Sequence, residues 1–264
     1  MKIGSVEIGP GHPCAIVAEL SNAHNGDRDR LGRLIDAAQA AGADAIKVQC
    51  YTPQELVGLR GDGPAPAPWN DRTMLDLYTQ AQTPLDWFPK IRDHCVRVGM
   101  PWFSSVFGAE SLAVLEAVDC PAYKISHLDA AQEKLGRLVV ATGKPVLVST
   151  TEPWSLPAPY WTGAVHPRLR PEIGVLYCPG GYPAAATAMR LRELAGDVYV
   201  GVSSHCREPL AAVIAVARGA HLIETHFHLA AEPSVLESNV SLDEAELRDL
   251  VHRVRSTEVL LGCV

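Results

Sequence analysis

Two histidines, His205 and His226, stand 21 residues apart, about the length of one strand-plus-helix unit. Two lysines, Lys47 and Lys124, sit inside otherwise apolar runs, AIKVQ and AYKIS. Acids fall in similar surroundings: Glu19 closes CAIVAE and Glu224 lies in LIETHF. Two imidazoles with nearby carboxylates and open positions suit Mn²⁺, Zn²⁺ or Fe²⁺ better than Mg²⁺. Lysines, as point charges on flexible stems, suit an anionic group such as a phosphate. Lys124 admits a second chemistry, that of a Schiff-base nucleophile with a lowered pKa. A lone histidine is more often a satisfied structural group than a ligand. A whole set is different, because burying unpaired ionisable groups costs on the order of 2–5 kcal/mol each. A phosphate and a divalent metal would offset that cost.

The elements that must position these groups follow from the patterning. Short β-rich runs at 14–20, 44–49, 101–106, 122–126, 145–150, 173–178, 199–204 and 222–227 read as strands. Amphipathic stretches at 28–41, 84–98, 108–118, 132–142, 185–195, 209–218 and 243–262 read as helices. Gly42, Gly99, Gly143, Gly196 and Gly219 each end a helical pattern shortly before the next strand. In the crossover 151–172, Pro153, Pro157, Pro159, Pro167 and Pro171 forbid a long helix. The Pro- and Gly-rich stretch 52–72 reads as a long βα loop on the active face. Residues 2–9 look like half of a short hairpin. Eight strand–helix units in one chain predict an α/β fold, a single (β/α)₈ TIM barrel spanning 1–264. A doubly wound open sheet would be expected to carry GxGxxG after its first strand, where this chain has SNAHNGD.

Strand alternation then decides which side chains face the lumen. Ile46 and Val48 mark the helix-facing parity of the second strand, so Lys47 and Gln49 point inward. The same reasoning turns Glu19, Ser21, Lys124, Ser203, His205, Glu224, His226 and His228 inward, near the strand ends where barrel enzymes hold their chemistry. After the first strand, His24 and Asn25 read equally well as turn and cap residues.

Composition excludes several classes. The net charge of −7, with no Lys/Arg block, does not suit a nucleic-acid or anionic-membrane binder. The longest apolar stretch, 210–217, is too short to cross a bilayer. Seven cysteines without a CxxC pair favour reduced thiols, and with no signal-like N-terminus the expected location is the cytoplasm.

At these residues the chain resembles the N-acetylneuraminate (sialic acid) synthase family. The likeness runs through AELSNAHNGD (18–27), AGADAIKVQ (41–49), PWFSSVFGAES (101–111), CPAYKIS (120–126) and TGKPVLVST (142–150). It continues in YCPGGYP (177–183), GVSSH (201–205), RGAHLIETHFHL (218–229) and SLDEAEL (241–247). The resemblance implies a metal-dependent transferase joining phosphoenolpyruvate to an aldose, N-acetylmannosamine or a relative, to give a 2-keto-3-deoxy acid and phosphate. It implies a metal pair at His205 and His226, with Mn²⁺ the expected ion and Mg²⁺, Co²⁺ or Zn²⁺ as alternatives. Lys47, Ser105, Lys124 and Ser203 match positions that hold phosphoenolpyruvate. Glu19, Gln49, Tyr182 and Glu224 match positions around the sugar, and Glu237 stands where the family has a sugar-binding Asp. Asp129 falls at an acid that is a candidate for activating the attacking water. A homodimer is expected.

The chain also departs from that pattern. His127 and Leu128 replace a Ser-Gly pair, Gly180 replaces an Asn, and AEPSVLESNVS lacks a usual Gly-Pro-Asp segment. The sequence given ends at Val264, before the family's usual C-terminal antifreeze-like domain, which donates an Arg to the partner's sugar site. The segment 52–72 is therefore expected to act as the lid, with Trp69 as cover and Asn70 or Arg60 touching the acceptor. A surface excursion or a dimer contact is the plainer reading of that segment. Two other functions stand beside the synthase: a Schiff-base aldolase using Lys124, and a degenerate sugar-phosphate-binding barrel.

Overall fold

The computed structural model describes residues 1–151, 172–194 and 199–263. Eight parallel strands close on themselves: β3 (Ala15–Glu19), β4 (Ala45–Cys50), β5 (Trp102–Val106), β6 (Tyr123–Ile125), β7 (Val146–Thr150), β8 (Ile173–Tyr177), β9 (Gly201–Ser204) and β10 (Leu222–Phe227). Pairing of β10 with both β9 and β3 completes the barrel. The eight strands expected from the sequence are all present, with ends moved by at most two residues. Among the described residues the helices on the barrel's outside are α1 (Arg28–Ala41), α4 (Phe88–Val98), α5 (Ala109–Ala117), α6 (Glu133–Val140), α7 (Pro209–Ala217) and α8 (Glu244–Leu261).

Local chemistry explains the boundaries. Asp27 caps α1 by accepting from the backbone of Asp29 and Arg30. Gly42 ends it in the left-handed region at φ 96°, where a β-carbon would be strained. At Gly201 the constraint is approach rather than φ: a β-carbon there would lie 1.9 Å from the Leu222 carbonyl oxygen.

Three expectations change. Residues 52–72 are not all loop, because Thr52 and Glu55 form a reciprocal capping box with Pro53 at the first helical position, starting α2 (Pro53–Arg60). A loop then leads to α3 (Met74–Ala81), itself capped by Thr73 and Asp76. The helix expected over 185–195 is instead two 3₁₀ turns, Ala186–Ala188 and Leu191–Glu193, separated by Arg190 at φ 40°. Residues 2–7 make a whole hairpin, β1 (Lys2–Ile3) with β2 (Val6–Glu7). The prolines of 152–171 and Gly196 lie outside the described residues.

Among the described residues the buried apolar side chains form three clusters: the smallest, Tyr51, Leu56, Tyr78 and Phe107, packs α2 and α3 together, and the other two build the barrel. The larger lies between strands and helices and contains Ile16, Ala18, Ile46, Val48, Tyr123, Ile125 and Ile223. The smaller fills the lower lumen with Val17, Ala45, Phe103, Ala122, Leu147, Leu176 and Leu222, and the N-terminal hairpin stoppers it with Ile3 while the following Ile8 packs alongside. Val17, Ala45, Ala122 and Leu222 have the inward parity expected for their strands, and Phe103, Leu147 and Leu176 define it for β5, β7 and β8.

Candidate active site

Above that apolar floor the same columns change character. One step further along β3, β4, β6 and β10 stand Glu19, Lys47, Lys124 and Glu224, all buried. The register pairs Glu19 with both Lys47 and His226, so these strand ends meet at one level. Lys47 forms an ion pair with Glu19, donates to Ser105 Oγ at 3.1 Å and lies 3.7 Å from Glu224. Lys124 donates to both oxygens of Glu224 at 3.1 Å, and Ser203 donates to Glu224 Oε1 at 2.7 Å. Gln49 bridges Glu19 and Ser21 at 3.1 and 3.0 Å.

The two lysines differ electrostatically. Burial opposes the charge on both. At Lys47 it is outweighed by Glu19 and Glu224, which hold the amine above its ordinary value. At Lys124 burial wins over Glu224, and the amine is held below it. Burial alone would raise the Glu224 carboxyl, but Lys124 and then Lys47 keep it below the usual carboxylate range.

A second group stands at the rim. The rings of His205 and His226 are 5.2 Å apart, and Tyr182 packs edge-on against both, at 4.7 and 5.7 Å. Tyr182 donates its hydroxyl to Glu237, whose other oxygen lies 3.5 Å from His226 Nδ1. Burial would raise the Glu237 carboxyl, yet His226 brings it down to about 2. Burial and then His226 push His205 down to about 3, so it is a neutral imidazole at ordinary pH. His226 Nδ1 is buried without a hydrogen bond of normal length, and Glu237 outweighs burial to hold this imidazole above its ordinary pKa. Two neighbouring imidazoles are donors of the kind a divalent transition metal takes. Among the described residues no three His, Cys, Asp or Glu side chains make a ready cage, so an ion held here would draw further ligands from water or substrate.

The expected residues therefore fall into two clusters and two outliers. Lys47, Lys124, Ser105, Ser203, Glu19, Gln49 and Glu224 share the lumen, while His205, His226, Tyr182 and Glu237 share the rim. Asp129 is set apart: Arg60 holds it through a two-pronged pair at 3.1 and 2.6 Å, and Ser126 donates to it at 2.7 Å. Both its oxygens are engaged by Arg60 or Ser126. Arg60 is correspondingly taken up by Asp129 and Ser126 rather than pointing at an acceptor. Asn70 is exposed on the loop after α2 and is not brought into either cluster. Its neighbour Trp69 does reach the rim, 6.2 Å from the Tyr182 ring.

Sequence reasoning overlooked Ser149 and Cys178. Ser149 Oγ is buried without a hydrogen-bond partner, and it shares the inward parity of Leu147 on β7. Cys178 follows β8 on the inward parity, its thiol pushed up to about 11 by burial despite Lys124 nearby. Applying the alternation argument to these two strands would have found both. His24 proves structural. Its Nδ1 accepts from Gly26 N at 3.0 Å, its Nε2 meets Thr83 Oγ1 at 3.2 Å, and its ring packs against Trp87.

Comparison with known proteins agrees with this architecture. The NeuB family pattern matches residues 34–264. Pseudaminic acid synthase from Campylobacter jejuni is 36% identical over 256 residues, covering 94% of this chain and 74% of that protein. Among solved structures, the spore coat polysaccharide biosynthesis protein SpsE of Bacillus subtilis is 26% identical, with a TM-score of 0.78 over 99% of this chain and 73% of that one. N-acetylneuraminic acid (sialic acid) synthetase from Leptospira borgpetersenii, solved with citrate, shares the fold with a TM-score of 0.80 at 22% identity, over 99% and 90% of the two chains. The chain belongs to the NeuB family, as an enzyme of the sialic acid synthase type.

Proposed function

We propose that this enzyme condenses phosphoenolpyruvate with an open-chain aldose of the N-acetylmannosamine class, giving a nonulosonic-type 2-keto-3-deoxy acid and inorganic phosphate. The observation that carries the reading is the pair of buried lysines, joined through Glu224 and ringed by Ser105, Ser203 and the unpartnered Ser149, directly below the His205/His226 rim. The lysines take the phosphate and carboxylate as charge-assisted contacts, and the serines donate to the remaining oxygens. Glu19, Gln49, Tyr182 and Glu237 orient the hydroxyls of the aldose above.

In the reaction, C3 of phosphoenolpyruvate bonds to the aldehyde carbon, whose oxygen becomes a hydroxyl. Water adds at C2, the C2–O bond to phosphate breaks, and the ketone forms. His205 and His226, with Glu237 beside them, would hold a divalent ion, Mn²⁺ by preference. Bound there, the ion supplies Lewis acidity to the aldehyde oxygen. Asp129, committed to Arg60 and Ser126, anchors α2 in this reading and takes no part in moving the proton.

The deciding assay is phosphate release from phosphoenolpyruvate across a panel of aldoses, before and after exhaustive chelation. No release with any aldose would overturn the condensation, and full activity after chelation or in His205→Ala would overturn the metal. One observation favours a second reading, a Schiff-base aldolase: the Lys124 amine is held below its ordinary pKa by burial. A borohydride-trapped adduct on Lys124 with a ketone donor, together with no phosphate release from phosphoenolpyruvate, would select it.

A further inference from the structure

The segment that follows β10 carries Glu237 to the rim, and it has little regular structure of its own. It is held by the loop after β3. The carboxamide of Asn25 donates to the Pro233 carbonyl at 3.1 Å and accepts from Val235 N at 3.1 Å. It thus pairs with the backbone on both sides of Ser234, as a neighbouring strand would. Between those two contacts, Ser234 Oγ donates to Asn22 Oδ1 at 2.8 Å and accepts from Glu237 N at 3.1 Å. Arg30, buried against the Ala23 carbonyl, grips Glu232 by both its carboxylate and its backbone carbonyl. His228 Nδ1 accepts from Ser234 N at 3.3 Å.

We infer that Asn25 is a positioning residue for the acceptor half of the site, acting as a backbone-mimicking clasp that sets Glu237 through Ser234. This rests on the proposed function for its kinetic readout. A carboxamide offers a donor and an acceptor side by side on one planar group, and asparagine carries it on a shorter stem than glutamine. Asn25 also occupies the left-handed region at φ 49°, which asparagine tolerates better than most residues. The clasp reaches Glu237 and makes no hydrogen bond to Lys47, Lys124 or Glu224. Its influence therefore falls first on the partner that Glu237 and Tyr182 would face.

The test is Asn25→Gly, because glycine accepts the same backbone conformation and removes only the carboxamide. Amide hydrogen exchange at Val235 and Glu237 should rise at least tenfold while exchange in β3 and β10 stays unchanged. The KM for the aldose should rise about tenfold, with the Kd for phosphoenolpyruvate within twofold of the parent. Ser234→Ala should repeat the Glu237 exchange and KM effects without altering Val235. Unchanged exchange at Val235 and Glu237 would overturn the clasp. Faster exchange with unchanged aldose KM, or an equal loss of phosphoenolpyruvate affinity, would overturn the positioning role. The exchange readout needs no turnover, so a parent protein that condensed nothing would sink the proposed function while the clasp was still decided.

Discussion

The floor and the mouth of the barrel are built from the same inward-facing columns, yet they share almost no chemistry. On β4 the column reads Ala45, Lys47, Gln49; on β6, Ala122, Lys124; on β10, Leu222, Glu224, His226. Two residues along a strand separate a packed apolar plug from an ionised cluster. The floor is stoppered by Ile3 of the hairpin and lined by Phe103, Leu147 and Leu176. The mouth is satisfied by ion pairs among Glu19, Lys47, Lys124 and Glu224 and by hydrogen bonds with Ser105, Ser203 and Gln49. The lesson is one of division of labour: the lower lumen supplies rigidity, and the upper lumen holds charges that a packed core would expel.

The largest effect should come from the floor. Phe103 is fully buried there, and Phe103→Ala is expected to cost about 3–5 kcal/mol of stability, read from urea unfolding. At a temperature where the variant is folded, its phosphoenolpyruvate affinity should match the parent. A variant that loses affinity without losing stability would erase the distinction between floor and mouth.

The mouth should answer in the opposite sense. Lys47→Met and Lys124→Met are each expected to weaken phosphoenolpyruvate binding by about 2–4 kcal/mol, roughly 30- to 800-fold, with the circular dichroism spectrum unchanged. Isothermal titration with phosphoenolpyruvate checks this. Affinity retained in Lys124→Met together with loss of a borohydride-trappable adduct would assign that lysine to an aldolase instead.

A third prediction limits the comparison, because His24 lies on the mouth side yet serves stability. Burial, helped by Arg30, lowers its pKa to about 4. Between pH 6.5 and 4 the unfolded chain takes up a proton that the folded ring refuses. Stability is therefore full above pH 6.5 and falls as pH drops toward 4, by up to about 3 kcal/mol from this group. Melting temperatures across that window should show the decline, and His24→Gln should lessen it, leaving the share that His205 contributes. A decline of equal slope in the variant would assign it to other groups.

The smallest effect concerns the rim. Trp69 packs near Tyr182, so Trp69→Ala should raise the aldose KM a few-fold, about 1 kcal/mol, and leave phosphoenolpyruvate affinity unchanged. Unaltered acceptor kinetics would reduce the loop after α2 to a surface excursion.

Much of this was legible in the sequence because alternation is a local rule. Eight strands, their inward parity and the clustering of Lys47, Lys124, Glu19 and Glu224 all follow from period-two patterning. Some misses were local too: Thr52 and Glu55 already spelled a capping box that starts α2, and the parity of Leu147 already implied Ser149. Other contacts had no such signal. The pairing of Arg60 with Asp129 spans 69 residues, and that of Asn25 with Pro233 spans 208. Such partners are chosen by how βα loops fold over one another, and neither periodicity nor turn chemistry records that choice. The run 185–195 failed for a related reason. Its alanines and leucines favour a helix, but the segment turns Met189, Leu191 and Leu194 into the core through two separate turns.

The ion pairs of the upper lumen carry one more consequence. Lys47 and Lys124 are already matched by Glu19 and Glu224, so an arriving anion gains nothing by mere attraction. It must trade places with a carboxylate, as a counter-ion does on an exchange resin. A singly charged solute such as acetate recovers little more than it displaces. A ligand bearing several negative charges on one small frame can engage both lysines at once and leave a net gain. Because the pairs are buried, bulk salt screens them poorly. The barrel is thereby a sorter by valence, and it should remain one at ionic strengths that would blind a surface patch.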